Sequence, residues 1–286
     1  MKLKKFSSVL ISCILAGTLF TGCGSNEQEK IQPSKIGVIA KLNETESTFN
    51  QHSNQLEQSI KIPGLKISHQ YIYYKDMDSL LSALKSKNID EITTYRSVAN
   101  YIIAKNPSWE ISNHTVSMSD SICLAVRKDN IALLDSLNIA LKAMETEGTT
   151  SYIVKTYVYY LNPNDETPIA DMPVIDGAET IKVGVTGDLP PLDLINSEGK
   201  PAGFSTTFLA ELSRRTKKNI EIVKISADER ATALTSNKID VAFWITIPND
   251  DLKKSGSFVQ SSDKPADLEV TIPYFEDEIV HVVSKK

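Results

Sequence analysis

Cysteine is scarce in this chain of 286 residues, which contains only three. Cys13 and Cys23 lie within the first 23 residues, so Cys123 is the only thiol farther along the chain and has no partner for a disulfide. It sits in the apolar run 121–126, where a lone thiol is typical of a small core residue. Cysteine and histidine spacings that mark metal sites are also missing. The sequence therefore predicts neither a metal ion nor another cofactor.

A strong excess of one charge is absent as well. The net charge is −5 at pH 7, and neither acidic nor basic residues cluster. Because there is no basic stripe, we do not expect a nucleic-acid partner. Beyond the first 23 residues, no segment approaches the ~20 apolar residues that a membrane-spanning helix needs. The body of the chain is thus predicted to be soluble.

The first 22 residues have the layout of a secretory signal peptide. A cationic start is followed by an uncharged apolar run that ends in Phe20-Thr21-Gly22-Cys23. This ending resembles the bacterial lipobox, in which the cysteine is lipidated and becomes the new N-terminus. The polar residues 23–34 predict a flexible tether. We therefore expect an extracytoplasmic protein held on the cell membrane by acyl chains, such as palmitate, on Cys23. An ordinary signal peptide with an incidental cysteine is the alternative.

A proline-rich, acidic run at residues 163–180 divides the rest of the chain into segments 35–162 and 181–286. This composition between two regular patterns indicates a linker. In both segments strands alternate with helices, which is typical of parallel βαβ sheets. The predicted strands cover 35–40, 67–74, 92–94, 181–185 and 220–225, and the predicted helices cover 46–60, 131–160 and 203–216.

A short sequence pattern occurs once in each segment. Residues 83–90 read Ala-Leu-Lys-Ser-Lys-Asn-Ile-Asp, and residues 233–240 read Ala-Leu-Thr-Ser-Asn-Lys-Ile-Asp. In both, the end of a helix leads through a polar turn to Ile-Asp and an apolar strand. Such helix-to-strand turns are common, so a chance match is the alternative. We interpret the pattern as a sign of two lobes with similar topology.

Four spaced motifs run through the second segment, at residues 183–192, 199–204, 233–240 and 273–275. They resemble the bacterial family-3 extracellular solute-binding proteins, the amino-acid-binding partners of ABC importers. In that family the corresponding positions form a cleft loop, a helix start, the second cleft strand and the crossover between lobes. The resemblance implies an α/β fold of the periplasmic-binding-protein-like type II class, with two lobes, mostly parallel central sheets and a hinge.

The first segment is similar to the second lobe of the same family and its C-terminal helices. The motifs that carry this similarity lie at 35–38, 79–90, 98–107, 122–129 and 133–144. The resemblance thus implies a permuted lobe order, in which the whole mature chain is one circularly permuted binding protein. Two degenerate tandem copies are the alternative. Permutation predicts that helix 133–144 packs on the lobe made by residues 181–286, and that the two ends of the mature chain lie close together.

Binding proteins of this kind hold a ligand at the carboxyl ends of parallel strands, between lobes that close. In the second segment these positions predict Asp188, Trp244 and Thr246 as ligand-binding residues, with Arg230 within reach of the cleft. For three of these four residues a structural role is the alternative. Asp188 would cap the Pro-Pro turn, Trp244 would belong to the core, and Arg230 would be a solvated helix residue.

The first segment contributes Thr45, Tyr95 and Arg96 as further candidates. Thr45 lies at a helix start, where backbone N–H groups favour an anion, although plain N-capping explains it equally well. Tyr95 and Arg96 follow the strand 92–94. An arginine there would offer a bidentate fork to a carboxylate or phosphate.

The candidate site departs from relatives that bind α-amino acids. They carry an arginine after the second cleft strand of the first lobe, where this chain has Asp250 and Asp251. Their aspartate for the α-ammonium group is replaced here by Tyr95 and Arg96. These exchanges predict a site of reversed polarity, in which the acid group of a solute meets Arg96, with Arg230 as a second partner.

The resemblance implies a lipoprotein that captures a small amino-acid-like or organic-acid solute and hands it to the permease of an ABC importer. We find no committed pair of carboxylates, no nucleophile–base pair and no metal set, so we predict a monomer that is not an enzyme. Two alternatives stay open. One is a signalling or structural lipoprotein with a degenerate binding fold, and the other is an enzyme of the dehydratase type.

Overall fold

A computed structural model describes residues 33–59, 68–113, 118–249 and 263–285. The predicted signal peptide and Cys23 lie outside these residues, as do Asp250 and Asp251 and all of the predicted tether except its last two residues. Within the described ranges, no helix is long and apolar enough to cross a membrane.

The first segment begins with alternating strands and helices, as predicted. Its elements are β1 (Ser34–Ile39), α1 (Glu46–Ser59), β2 (His69–Tyr74), α2 (Met77–Lys85), β3 (Glu91–Tyr95), α3 (Arg96–Lys105), β4 (Trp109–Ile111) and β5 (Ser119–Arg127). The predicted helix 131–160 is broken. It consists of α4 (Ile131–Thr146), α5 (Thr149–Val154) and a π-helical turn at Lys155–Tyr159. The break falls at Gly148, whose φ of 75° suits glycine.

The second segment repeats this alternation. Its elements are β6 (Thr180–Val185), β7 (Leu194–Ile195), β8 (Pro201–Ala202), α6 (Phe204–Thr216), β9 (Asn219–Lys224), α7 (Arg230–Thr235), β10 (Val241–Pro248), β11 (Leu268–Val270) and β12 (Phe275–Ser284). The predicted linker contains no helix or strand before Thr180, and it lies along this segment, where Gly203 N–H donates to the carbonyl of Pro168 at 2.8 Å.

The strands form two lobes of the same design. Lobe A has the order β2-β1-β3-β12-β4 and lobe B has the order β9-β6-β10-β5-β11. In each lobe the first three strands are parallel and the fourth is antiparallel to its neighbours. The antiparallel strands β5 and β12 also pair with each other, through Ser119–Ile122 and Phe275–Glu278. They form the hinge that joins the two lobes.

The repeated sequence pattern marks equivalent positions in the two lobes. Asp90 accepts a hydrogen bond from the backbone N–H of Lys35, and Asp240 accepts one from Lys182, each at 2.8 Å. Both carboxylates therefore fasten the turn after a helix to the start of the central strand. This correspondence agrees with the interpretation of the pattern as two lobes of similar topology.

The lobes do not coincide with the two segments of the chain. Helices α4 and α5 come from the first segment but pack on α6 of lobe B. Arg215 of α6 forms a salt bridge of 2.7 Å with Glu147, which lies between α4 and α5. At the other end, Glu91 contacts both the first strand and the last, through Ser34 at 3.3 Å and His281 at 3.0 Å.

Aromatic packing fills the interior of lobe B. Phe204 and Phe208 of α6 stack at 5.3 Å, and Phe243 and Tyr274 complete the cluster at 4.9–6.4 Å between ring centroids. Burial of each large ring removes apolar area from water and stabilises the fold. Cys123 lies in the core next to this layer, 2% exposed, as predicted for a structural thiol. Burial raises its pKa to about 12.

Candidate functional site

Polar and charged side chains meet between the lobes, at the carboxyl ends of the parallel strands. In lobe A they come from the loop after β1 and from the last residue of β3. In lobe B they come from the loop after β6, from β10 and from the residues just before β11. Asp120, on the hinge strand β5, joins them through its contact with Tyr95 at the end of β3. This is where the topology of open parallel sheets places ligands.

Arg230 lies at the centre of the lobe B side. Its guanidinium stacks on the ring of Trp244 at 3.4 Å, and its Nη2 contacts the Asp263 carboxylate at 3.1 Å. Two further N–H groups donate to the backbone carbonyls of Ala227 and Trp244, at 2.7 and 2.9 Å. Only 1% of Arg230 is exposed, so it is not the solvated residue of the alternative interpretation. Although burial lowers its pKa, arginine stays protonated in proteins.

Asp263 connects Arg230 to lobe A. Its Oδ1 accepts a hydrogen bond from the backbone N–H of Leu42 at 2.7 Å, while Oδ2 faces Arg230. The backbone N–H of Asp263 donates to the carbonyl of Thr246 at 3.1 Å, which fixes it to lobe B. The side chain of Leu42 packs on the core of lobe B. The loop after β1 thus contacts the opposite lobe through Leu42.

Trp244 is held by a second carboxylate. Its indole N–H donates to Asp193 at 3.0 Å, and the same carboxylate oxygen accepts from the backbone N–H of Thr186 at 2.7 Å. Asp193 is fully buried, and burial raises its pKa. Within the described residues its other oxygen has no hydrogen-bond partner. Trp244 is therefore both a core residue and the platform under Arg230.

Asp188 forms another contact between the lobes. Its Oδ1 accepts a hydrogen bond from the backbone N–H of Met77, the first residue of α2, at 2.8 Å. It is 7% exposed, and burial raises the pKa of its carboxyl to about 6. The carboxylate therefore caps a helix of lobe A rather than the Pro-Pro turn of its own loop.

Tyr95 reaches the hinge. Its hydroxyl donates to Oδ2 of Asp120 at 2.7 Å. Burial is the main cause that raises the pKa of Asp120. In the described part of the chain, neither Oδ1 of Asp120 nor the hydroxyl of Tyr73 has a hydrogen-bond partner. Both atoms are buried.

Lys41 provides a second cation in this region. Its ammonium group lies 4.8 Å from the centroid of the Phe49 ring. Burial lowers its pKa, while the charges of Asp263, Asp120 and Glu44 oppose that effect. The space between the lobes thus contains both cations and carboxylates; Arg230 is buried, whereas Lys41 is half-buried.

Two of the predicted site residues, Arg96 and Thr45, make their contacts outside the polar cluster between the lobes. Arg96 begins α3, and its guanidinium is paired with Glu278 at 2.7 Å, with 42% of the arginine side chain exposed. Thr45 caps α1, because its hydroxyl oxygen accepts from the backbone N–H of Thr48 at 3.2 Å. The structure brings together Asp188, Arg230, Trp244, Thr246 and Tyr95, and it favours N-capping as the role of Thr45.

The sequence interpretation missed four charged residues of the site, namely Lys41, Asp120, Asp193 and Asp263. Asp120 lies near the start of β5, which runs antiparallel through the hinge, so counting carboxyl ends of parallel strands could not find it. The position of Lys41, two residues after β1, was a usable signal. Among the described residues, no group of three or more His, Cys, Asp or Glu side chains could hold a metal ion.

Several solved structures are similar to the chain in fold. They include a periplasmic substrate-binding protein of an ABC transporter from Coxiella burnetii, at 13% identity and a TM-score of 0.42, covering 88% of this chain and 85% of that one. A putative methionine-binding lipoprotein from Bacillus subtilis has 10% identity and a TM-score of 0.40, with coverages of 88% and 83%.

The ligand-binding component of an ABC-type import system from Staphylococcus aureus has 14% identity and a TM-score of 0.43; the match covers 88% of this chain but only 66% of that one. No curated protein matches the sequence.

The decisive match is to a family model. Residues 181–283, which supply most of lobe B and the long hinge strand, match the bacterial extracellular solute-binding proteins, family 3. The α/β architecture is of the periplasmic-binding-protein-like type II class, as predicted. This match confirms the family resemblance inferred from the motifs of residues 181–283.

Proposed function

We propose that the protein is an exported lipoprotein, anchored through Cys23 on the outer face of the cell membrane, that captures a small polar solute for the permease of an ABC importer. The observation that carries this proposal is the buried polar cluster between two matching lobes, in a chain whose residues 181–283 match a solute-binding family. The protein acts as a monomer and releases its solute unchanged.

The charges in the cleft support an amino-acid-like or organic-acid solute. Arg230 and Lys41 would meet an acid group, whereas the unpartnered oxygen of Asp120 and the hydroxyl of Tyr73 would accept hydrogen bonds from an amine or hydroxyl. Arg230 replaces Arg96 as the proposed partner of the acid group, because Arg230 lies in the polar cluster between the lobes, whereas Arg96 is paired with Glu278 of the hinge strand.

Circular permutation is the lobe arrangement that we propose. Three observations support it: α4 and α5 pack on lobe B, the first and last strands both contact Glu91, and each lobe borrows its antiparallel strand from the other segment. Two tandem copies would instead require each segment to contain its own pair of lobes.

A thermal-shift screen of amino acids, short peptides and organic acids tests the binding proposal. A solute at 100 times its Kd adds ~2.7 kcal/mol to the bound state, which for a protein of this size raises Tm by roughly 5–10 °C. Arg230→Lys should reduce that shift strongly, because lysine lacks the planar fork. Arg96→Ala is the matched control and should keep the full shift. A shift lost in Arg96→Ala but kept in Arg230→Lys would contradict this assignment.

One observation favours a second candidate function. Leu42 and Asp263 already occupy part of the space between the lobes, which is how a signalling or structural lipoprotein with a degenerate cleft would look. Under this alternative no solute in the screen would raise Tm.

A further inference from the structure

The Asp263 carboxylate occupies an arrangement that would suit a free carboxylate equally well. One oxygen faces the Arg230 guanidinium at 3.1 Å and the other accepts the backbone N–H of Leu42 at 2.7 Å. The two donors belong to opposite lobes, and Asp263 itself is only 4% exposed. Charge-assisted bonds from an arginine and a backbone N–H are the usual contacts of a bound carboxylate.

Arg230 is positioned without any help from Asp263. Its Nε and Nη1 are used by the carbonyls of Ala227 and Trp244, and its plane rests on the Trp244 ring. Those contacts all lie within lobe B and leave Nη2 directed at the carboxylate. A preorganised donor of this kind binds an anion without a further ordering cost.

We propose that Arg230 and the Leu42 N–H form a carboxylate-binding site that Asp263 fills from within the chain, and that a solute with a free carboxylate binds by replacing Asp263. The inference rests on the proposed function only in assuming that the cleft admits a solute. No covalent step is involved, because one carboxylate exchanges for another.

Two consequences follow for the lobes. Without solute the lobes stay closed, because Asp263 bridges them in the way a ligand would. A solute must also compete with a tethered carboxylate, so its apparent affinity is reduced by the fraction of molecules in which Asp263 has left the site. The site therefore selects ligands with a carboxylate, because a neutral molecule could not replace the negative charge beside Arg230 when Asp263 leaves.

Chemical rescue with acetate tests the proposal. Asp263→Ala removes the carboxylate and leaves a space in which sodium acetate can contact Arg230 and Leu42. We expect a lower Tm for Asp263→Ala in sodium chloride and a saturable recovery in sodium acetate at equal ionic strength. Acetate should bind Asp263→Ala at least about tenfold more tightly than the wild type, in which fewer than about one molecule in ten has a vacant site.

Two matched variants separate this site from general salt effects. Asp263→Asn keeps the shape of the side chain without its charge, so acetate must still displace a side chain and should raise Tm less than it raises the Tm of Asp263→Ala. Asp263→Ala/Arg230→Met lacks the guanidinium, and its Tm should not respond to acetate; its circular dichroism spectrum checks that it is folded.

Equal Tm values for Asp263→Ala in acetate and in chloride would overturn the proposal. Should Asp263→Ala fail to fold in chloride, circular dichroism in the two salts decides the matter: recovery of the helical signal in acetate supports the proposal, and no recovery refutes it. The rescue can succeed even if no solute is found for the wild type, so its outcome is distinct from that of the binding screen.

Discussion

Asp188 allows a quantitative prediction, because its buried carboxyl joins the lobes and has a pKa of about 6 instead of 3.8. A carboxyl whose pKa is raised in the folded state binds protons more strongly there than in the unfolded state. Its contribution to stability is therefore present at low pH and is lost as the pH rises through about 6. The full change from 3.8 to about 6 corresponds to about 3 kcal/mol.

Asp188→Asn removes the buried charge but keeps an oxygen that can accept the Met77 N–H. We expect the free energy of unfolding of this variant, relative to the wild type, to rise by about 3 kcal/mol between low pH and pH ~7.5, with roughly half of the rise above pH ~5. Urea unfolding of both proteins across this range measures the difference. Asp188→Ala, which lacks the acceptor oxygen, separates the hydrogen bond from the charge. A difference between Asp188→Asn and the wild type that does not vary with pH would refute the reasoning.

Two further predictions concern the packing of a central strand and the membrane anchor. Gly184→Ala should lower the free energy of unfolding by about 1–2 kcal/mol, since the added methyl would lie 2.6 Å from Cδ1 of Ile239 and 2.7 Å from Cδ1 of Ile225; unchanged urea unfolding would contradict that packing. Cys23→Ser should leave the circular dichroism spectrum unchanged but release the protein from membranes in detergent-free fractionation, and a variant that still pellets with membranes would disprove the proposed anchor.

The fold was largely predictable because its central strands are apolar and repeated. The pattern around Asp90 and Asp240 predicted two equivalent lobes, and both carboxylates indeed fasten equivalent turns. Shorter strands such as β4 and β11 have too few residues for a periodic pattern. The break at Gly148 inside the predicted helix shows the same limit, since one glycine within a helical pattern only weakly predicts an end.

The site was only partly predictable, because its contacts join residues far apart in the chain. Asp188, Trp244 and Thr246 follow from their places at strand ends. Asp263 does not, because neither its neighbours nor its spacing distinguish it from other acids, and only the tertiary fold brings it to Arg230. Arg96 lies after β3, as the sequence places it, but its pairing with Glu278 of the hinge strand could not be foreseen from positions so far apart in the chain.

The most direct test of the whole account is isothermal titration calorimetry of the wild-type protein with a solute from the thermal-shift screen, followed by recovery of that solute. One two-lobed unit per chain predicts saturable binding of one solute molecule per protein molecule, and the solute should be recovered chemically unchanged after dialysis. Two equivalents bound would favour tandem copies over a permuted single unit. The absence of binding by every carboxylate solute, or the conversion of a solute into a product, would contradict the proposed function.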